Sequence, residues 1–267
     1  NFSNSIVLNQ LESMNLKPLY FKLKDSDFDS GKNLIAKLGI PKNAWYVTLH
    51  IRGIGWRGET MNTTQDIHRT ADPLDYIDAI KEITKKGGYV VRMGDPSMKK
   101  LPNMKNVIDY AHHPMKSALL DVFLGATSKF CIGTSSGYCI IPMCFGVPLL
   151  LTNMLPTEAI FSLNNKDMYI PKILLQNGKA MNFKNYFSKK MPFICQDKDY
   201  KKQSITWKNN TPNELKQSTK EFIDFVFEQQ DYKKNDQQVK VNQIINLSNE
   251  NKKIRTRTNI PASFLDK

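Results

Sequence analysis

Two arginines flank a glycine-bearing loop in the run His50-Ile51-Arg52-Gly53-Ile54-Gly55-Trp56-Arg57-Gly58, directly after an apolar stretch. A planar guanidinium holds two oxygens at once, so Arg52 and Arg57 at a strand end suit a diphosphate. Arg92 lies near the end of a second apolar stretch, Tyr89–Met93, and can reach the same ligand. The small, hydroxylated run Gly133-Thr134-Ser135-Ser136-Gly137 adds a different kind of anion site between the apolar runs Phe130–Ile132 and Leu149–Leu151. With the amphipathic stretch Gly137–Phe145 after it, this region reads as strand, polar loop, helix, strand. Thr134, Ser135, Ser136 and Gly137 then sit at a helix N-terminus, where unpaired N–H groups and the dipole attract anions. An ordinary turn capped by Ser135 or Ser136 is the simpler alternative. For Arg52 and Arg92 the simpler alternative is a structural ion pair with Asp95 or Glu59.

Other motifs point elsewhere and are weaker. Gly53, Gly55 and Gly58 match the spacing of a dinucleotide fingerprint after a strand. Against it, Glu59–Asp66 opens no helix, two arginines bracket the loop, and Trp56 crowds the close approach that the glycines would allow. Asp25-Ser26-Asp27-Phe28-Asp29 fails as a calcium loop, since Gly31 comes one place late and Ala36 stands where a bidentate Glu is needed. It remains either a metal–nucleotide motif or an acidic turn capping a helix over Gly31–Leu38. His50, His68, His112 and His113 lack zinc-type spacing, and His50 points either into the core or at the site.

These groups need a scaffold, and the chain supplies one from Trp45 onward. Trp45–Arg52 and Tyr89–Met93 read as strands, with a shorter one at Val107–Tyr110. Asp72 caps a helix with Pro73 at its first position and an apolar stripe of Tyr76, Ile77, Ile80 and Ile83, stopped by Gly87-Gly88. Met115–Ala126 repeats the helical spacing through Leu119, Leu120, Phe123 and Leu124. Such alternation predicts a doubly covered, Rossmann-like α/β parallel sheet with ligands at the carboxyl ends of its strands. A strand at Pro18–Leu23 and an amphipathic helix at Pro212–Gln230 are also expected, with 152–210 irregular and 231–257 either one long exposed helix or a partly ordered tail.

Composition sets the outer limits. The 267 residues, 40% of them hydrophobic, suffice for one large or two modest domains. The longest apolar stretch, Cys139–Leu151, holds two prolines and is too short for a bilayer, and no signal pattern opens the chain. Cys131, Cys139, Cys144 and Cys195 contain no C-x-x-C pair and read as reduced thiols of a cytoplasmic protein. A net charge of +13 favours polyanions, yet no strand pair interleaves aromatic and basic residues as a nucleic-acid platform does. Lys-rich pieces such as Lys198–Lys202 read as solvated faces or as contacts with an anionic membrane surface.

The run from Trp45 to Asn153 resembles a family of bacterial GT-B-type glycosyltransferases from surface-polysaccharide and lipopolysaccharide gene clusters. The matching pieces include Trp45–Arg52, Gly87-Gly88-Tyr89-Val90-Val91-Arg92-Met93-Gly94-Asp95, Ile108–Ala111 and Phe130–Asn153, with Ile260–Leu265 similar to the family's end. His50-Ile51-Arg52 is similar to the His-x-Arg element of fucosyltransferases, whose arginine contacts the nucleotide β-phosphate. Gly133–Gly137 with Pro142 and Gly146-Val147-Pro148 is similar to the donor loop and helix of heptosyltransferase-like enzymes. The resemblance implies a C-terminal donor-binding domain over 45–230, with a remnant of an N-terminal domain or linker before it (1–44) and a charged tail after it (231–267). It implies a nucleotide-diphosphate sugar as co-substrate, no cofactor or metal, and a glycan or lipid-linked acceptor at the cytoplasmic face of the inner membrane. Arg52, Arg57, Arg92 and Thr134–Gly137 would hold the diphosphate, and Asp95, Asp109 and Tyr110 the ribose or base. Inversion needs a base for the acceptor hydroxyl, for which His50 and Asp66 are the candidates. A non-catalytic nucleotide- or carbohydrate-binding module is the alternative from another class.

Overall fold

The structure, a computed structural model, describes residues 14, 19–54, 66–157, 164–189, 191–228, 236–248 and 258–265. Its centre is a six-stranded sheet in the order β3-β2-β1-β4-β5-β6, built from Tyr46–His50 (β1), Tyr89–Met93 (β2), Val107–Ile108 (β3), Cys131–Gly133 (β4), Leu149–Met154 (β5) and Met168–Pro171 (β6). All five pairings are parallel, as the alternation of strands and helices predicts. Every residue of β1 and β5 is buried, the pattern of strands covered on both faces. Alternate residues serve different layers: Val47, Leu49 and Ile51 join the apolar cluster of the helices Ile77–Lys85 and Pro212–Phe227. Tyr46, one register step away, joins Leu120, Phe123 and Leu124 of the helix Ala118–Thr127 on the opposite face.

Local signals explain most boundaries. Asp72 accepts from the Leu74 N–H and starts a 3-10 turn, Pro73–Tyr76, that runs into the helix Ile77–Lys85. Ser117 caps the helix Ala118–Thr127, and Thr211 with Glu214 closes a reciprocal capping box on Pro212–Phe227. The first helix begins at Asp25 rather than Gly31, because Asp25 and Asp27 occupy its first turn and complement the dipole. Gly31 is where this helix meets its neighbour: a Cβ there would lie 2.1 Å from the Phe123 ring. Residues 19–24 form no strand, although the Phe21 N–H bonds to the Cys144 carbonyl.

The stretch expected to be irregular holds a second sheet, β8-β7-β9, from Ile173–Gln176 (β7), Lys179–Ala180 (β8) and Ile205–Lys208 (β9). Asn177 and Gly178, at φ of 50° and 78°, form the two-residue hairpin loop between β7 and β8. An Asn-Gly pair there is itself the sequence signal for such a turn. Beyond 230, the helix Asp236–Ser248 buries Val241. The chain end returns to the large sheet, where the Tyr169 N–H bonds to the Asn259 carbonyl at 2.9 Å.

Two buried asparagines join these parts. The Asn210 N–H donates to Asn153 Oδ1 at 2.7 Å, the Asn153 N–H donates to Asn210 Oδ1, and Asn210 Nδ2 donates to the Pro171 carbonyl at 2.8 Å. Asn153 Nδ2 reaches the Tyr76 hydroxyl at 2.9 Å. Asn210→Ala strands the Asn153 N–H and the Pro171 carbonyl in the interior. Each orphaned group costs about 1–3 kcal/mol, so urea unfolding should show a loss of about 2–4 kcal/mol.

Candidate functional site

The chain runs from β1 outward through β2 and β3, then crosses back to place β4 on the other side of β1. Connections leaving β1 and β4 therefore diverge and open a crevice at their carboxyl ends. His50 is in register with Gly133. One residue further on, the Thr134 N–H donates to the His50 carbonyl at 3.1 Å, and Thr134 Oγ1 accepts from the Arg52 N–H at 2.9 Å. Gly133 is required by packing: a Cβ would lie 2.2 Å from Cys139 Sγ, so the loop could not fold back over the strand end. The helix expected after the loop is short. A 3-10 turn, Gly137–Cys139, precedes only five α-helical residues, Ile140–Cys144, so little dipole stands behind the Ser135–Gly137 segment.

Two cavities meet on that segment and share Ser136 and Gly137. The larger, about 460 Å³, lies over β1 and β2 and is walled by His50, Arg52, Gly94, Asp95, Lys116 and Asp121. The smaller, about 250 Å³, is lined by Arg69, by Thr134–Gly137 and by the apolar side chains of Leu149, Leu151, Met154 and Pro156. The larger cavity mixes charged groups with the apolar side chains of Met93 and Met98. Lys116 Nζ there pairs with Asp121 at 2.8 Å, and Asp95 accepts from the Ser97 N–H at 2.9 Å.

A carboxylate links the cations of the two cavities. Asp66 Oδ2 lies 3.2 Å from the Arg52 guanidinium and 3.0 Å from that of Arg69. Arg69 also grips the loop, donating from Nη2 to the Ser135 carbonyl at 2.9 Å and from Nε to Ser135 Oγ at 3.2 Å. Arg69 escaped the sequence reading because it belongs to no strand end. Its position comes from a 3-10 turn, Ile67–Arg69, 66 residues from its loop partner. The nearest sequence sign was the Asp66/Arg69 spacing of three.

His50 lines the larger cavity, 6% exposed, with its ring stacked on Tyr138 at 5.2 Å and Nδ1 lacking a hydrogen-bond partner among the described residues. Burial, then the charges of Arg92 and Arg52, pushes its pKa down to about 4, so the imidazole is neutral at physiological pH.

Three predicted residues turn into the fold instead of the crevice. Arg92 is fully buried, with Nη1 on Asp109 at 3.1 Å and Nη2 on the Lys99 carbonyl at 2.8 Å. It is thus the structural ion pair weighed above, although the partner is Asp109 rather than Asp95 or Glu59. Asp109 is further occupied by the Leu101 N–H at 3.0 Å and His112 Nδ1 at 3.0 Å. Tyr110 is fully buried and exchanges hydrogen bonds with the Ser117 backbone at 3.0 and 3.3 Å. Arg57 and Glu59 lie outside the described residues. Among the described residues no group of three or more His, Cys, Asp or Glu side chains gathers as metal ligands would, and no helix is long and apolar enough to cross a membrane.

No protein-family model matches the chain, and no curated protein matches it. A solved structure titled the glycosyl transferase family 9 from Veillonella parvula DSM 2008 is similar at 10% identity, with a TM-score of 0.41. The match covers 69% of this chain and 49% of that one, so the chain spans about half the length of that structure.

Behind the Arg69 turn sits a buried lysine that the sequence reading also missed. Lys172 is 2% exposed, donates from Nζ to the Thr70 carbonyl at 2.6 Å, and feels the charge of Asp197. Burial pushes its pKa down to about 7, against about 10.4 for an unfolded lysine. Between those values the unfolded chain binds more protons than the folded one, so stability rises with pH there. Relative to Lys172→Met, the native protein should gain on the order of 3 kcal/mol of unfolding free energy from pH 7 to pH 10. Denaturant titrations of both proteins across that range measure the difference.

Proposed function

We propose that this chain binds a nucleotide-diphosphate sugar at the β1/β4 crevice and is the donor-binding part of a glycosyltransferase. The observation that carries the reading is the placement of Arg52 and Arg69 either side of Ser135–Gly137, bridged by Asp66, at the junction of two cavities. That spacing suits a pyrophosphate with a substituent at each end. The resemblance of Trp45–Asn153 to GT-B-type enzymes agrees with it. Breaking the glycosidic bond leaves charge on the departing diphosphate, and preorganised cations and hydroxyls at that point stabilise it more than they stabilise the bound donor.

Within this reading the groups take different roles. Arg52 and Arg69 hold phosphate oxygens, with Thr134, Ser135, Ser136 and Gly137 lining the path between them. Asp66 orients both guanidinium groups, a role that occupies the carboxylate otherwise available as a base. His50 is the proton acceptor for the acceptor hydroxyl. A bound diphosphate offsets the Arg52 charge that helps depress its pKa, so the imidazole becomes more basic when the donor is in place. Asp95, which lines the larger cavity, binds the ribose or base of the donor in this scheme. The transfer needs no metal in this scheme, and the acceptor is a glycan or lipid-linked saccharide met at an anionic membrane surface in the cytoplasm.

A thermal-shift screen of UDP, GDP, CDP and CMP should show stabilisation by one diphosphate above the others. For that nucleotide, Arg52→Ala should weaken calorimetric affinity roughly tenfold to a hundredfold, the worth of a charge-assisted contact of about 1.5–3 kcal/mol. Unchanged affinity rejects the assignment. Slow hydrolysis of the matching nucleotide sugar marks an enzyme, whereas binding without turnover marks a non-catalytic module.

A further inference from the structure

We infer that Asp197, outside the crevice and on the segment that supports the small sheet, is a positioning residue that sets the affinity of the site through Arg69. The inference rests on the pyrophosphate reading above. Asp197 is 5% exposed and opens the helix Asp197–Lys202. Its carboxylate accepts from the Ile67 N–H at 2.8 Å, the His68 N–H at 3.0 Å and His68 Nδ1 at 2.6 Å. Those bonds hold the Ile67 and His68 amides and the His68 side chain in the turn whose last residue is Arg69. His68 is fully buried between Tyr200 of the same helix and Trp207 of β9, at ring distances of 5.4 and 6.1 Å. Lys172 fastens the following residue through the Thr70 carbonyl. The turn is thereby fixed from three sides, while its two ends present Asp66 and Arg69 to the crevice.

A buried carboxylate accepting three hydrogen bonds is a rigid anchor, because releasing any one leaves charge or a donor unpaired. The arrangement gives the small sheet a task in binding without touching ligand. Shifting the turn by an ångström would lift Arg69 from Ser135 and loosen the bridge that Asp66 makes to Arg52.

A double-mutant cycle read by calorimetry with inorganic pyrophosphate tests this. Asp197→Ala should weaken binding about tenfold. Asp197→Asn, which keeps the oxygen for the two His68 donors but turns an amide NH2 towards the Ile67 N–H, should recover only part of that loss. In an Arg69→Ala background, Asp197→Ala should cost less than threefold, because its route of action is gone. Equal losses in both backgrounds, or no loss from Asp197→Ala in a folded protein, overturn the inference and leave the pyrophosphate reading intact. Failure of the native chain to bind pyrophosphate overturns both. If Asp197→Ala does not fold, Lys172→Met takes its place in the cycle under the same criteria.

Discussion

The crossover between β1 and β4 is the constraint on which the rest of the molecule depends. Two adjacent parallel strands end side by side, and the chain leaves them in opposite directions. Nothing regular can cover both ends, so a crevice opens and the last backbone groups need other partners. Thr134 resolves part of this locally, bonding through its N–H to His50 and through its hydroxyl to the Arg52 N–H. The same bonds set the direction in which Arg52 leaves the sheet, so the device that satisfies the strand ends also aims the cation.

Cations gathered in a partly desolvated crevice repel one another and lose hydration, which makes a bridging carboxylate necessary before any ligand arrives. Asp66 supplies it between Arg52 and Arg69. Arg92 illustrates the other solution open to the same side chain. Its position in β2 turns it into the fold, where Nη1 pairs with Asp109 and Nη2 donates to the Lys99 carbonyl, while Nε meets no hydrogen-bond partner among the described residues. One arginine just past β1 and one within β2 therefore have identical chemistry and different surroundings. What separates them is burial: Arg92 is fully enclosed by the fold, whereas Arg52 lines a cavity.

The central sheet was legible in the sequence because its determinants are local. Tyr89–Met93 matched the structure at both ends, and Asp72, Pro73 and Gly87 marked the helix between β1 and β2 through turn and capping chemistry alone. The loop after β4 was visible for the same reason. Arg69, Asp197 and Lys172 were not, because each draws its meaning from a partner 66 to 130 residues away. The fate of Arg92 was hidden likewise, since choosing Asp109 over Asp95 needs the path of the chain through β3. The small sheet is a different kind of miss. Asn177-Gly178 carried its hairpin signal openly, but the strands around it are four and two residues long and too short to show a period.

That small sheet bears on how the site is held. A 3-10 turn of three residues has too few internal hydrogen bonds to keep a long arginine side chain in place. Rigidity must be imported from packed elements nearby, and β9 with the helix Asp197–Lys202 provides it through His68, Tyr200 and Trp207. Asn153 and Asn210 then tie β9's trailing end back to β5 and β6. The path from the arginine turn to the large sheet is thus closed into a ring of buried contacts. One arm of the ring is the crevice itself, so the precision of the arginine pair depends on packing some distance behind it.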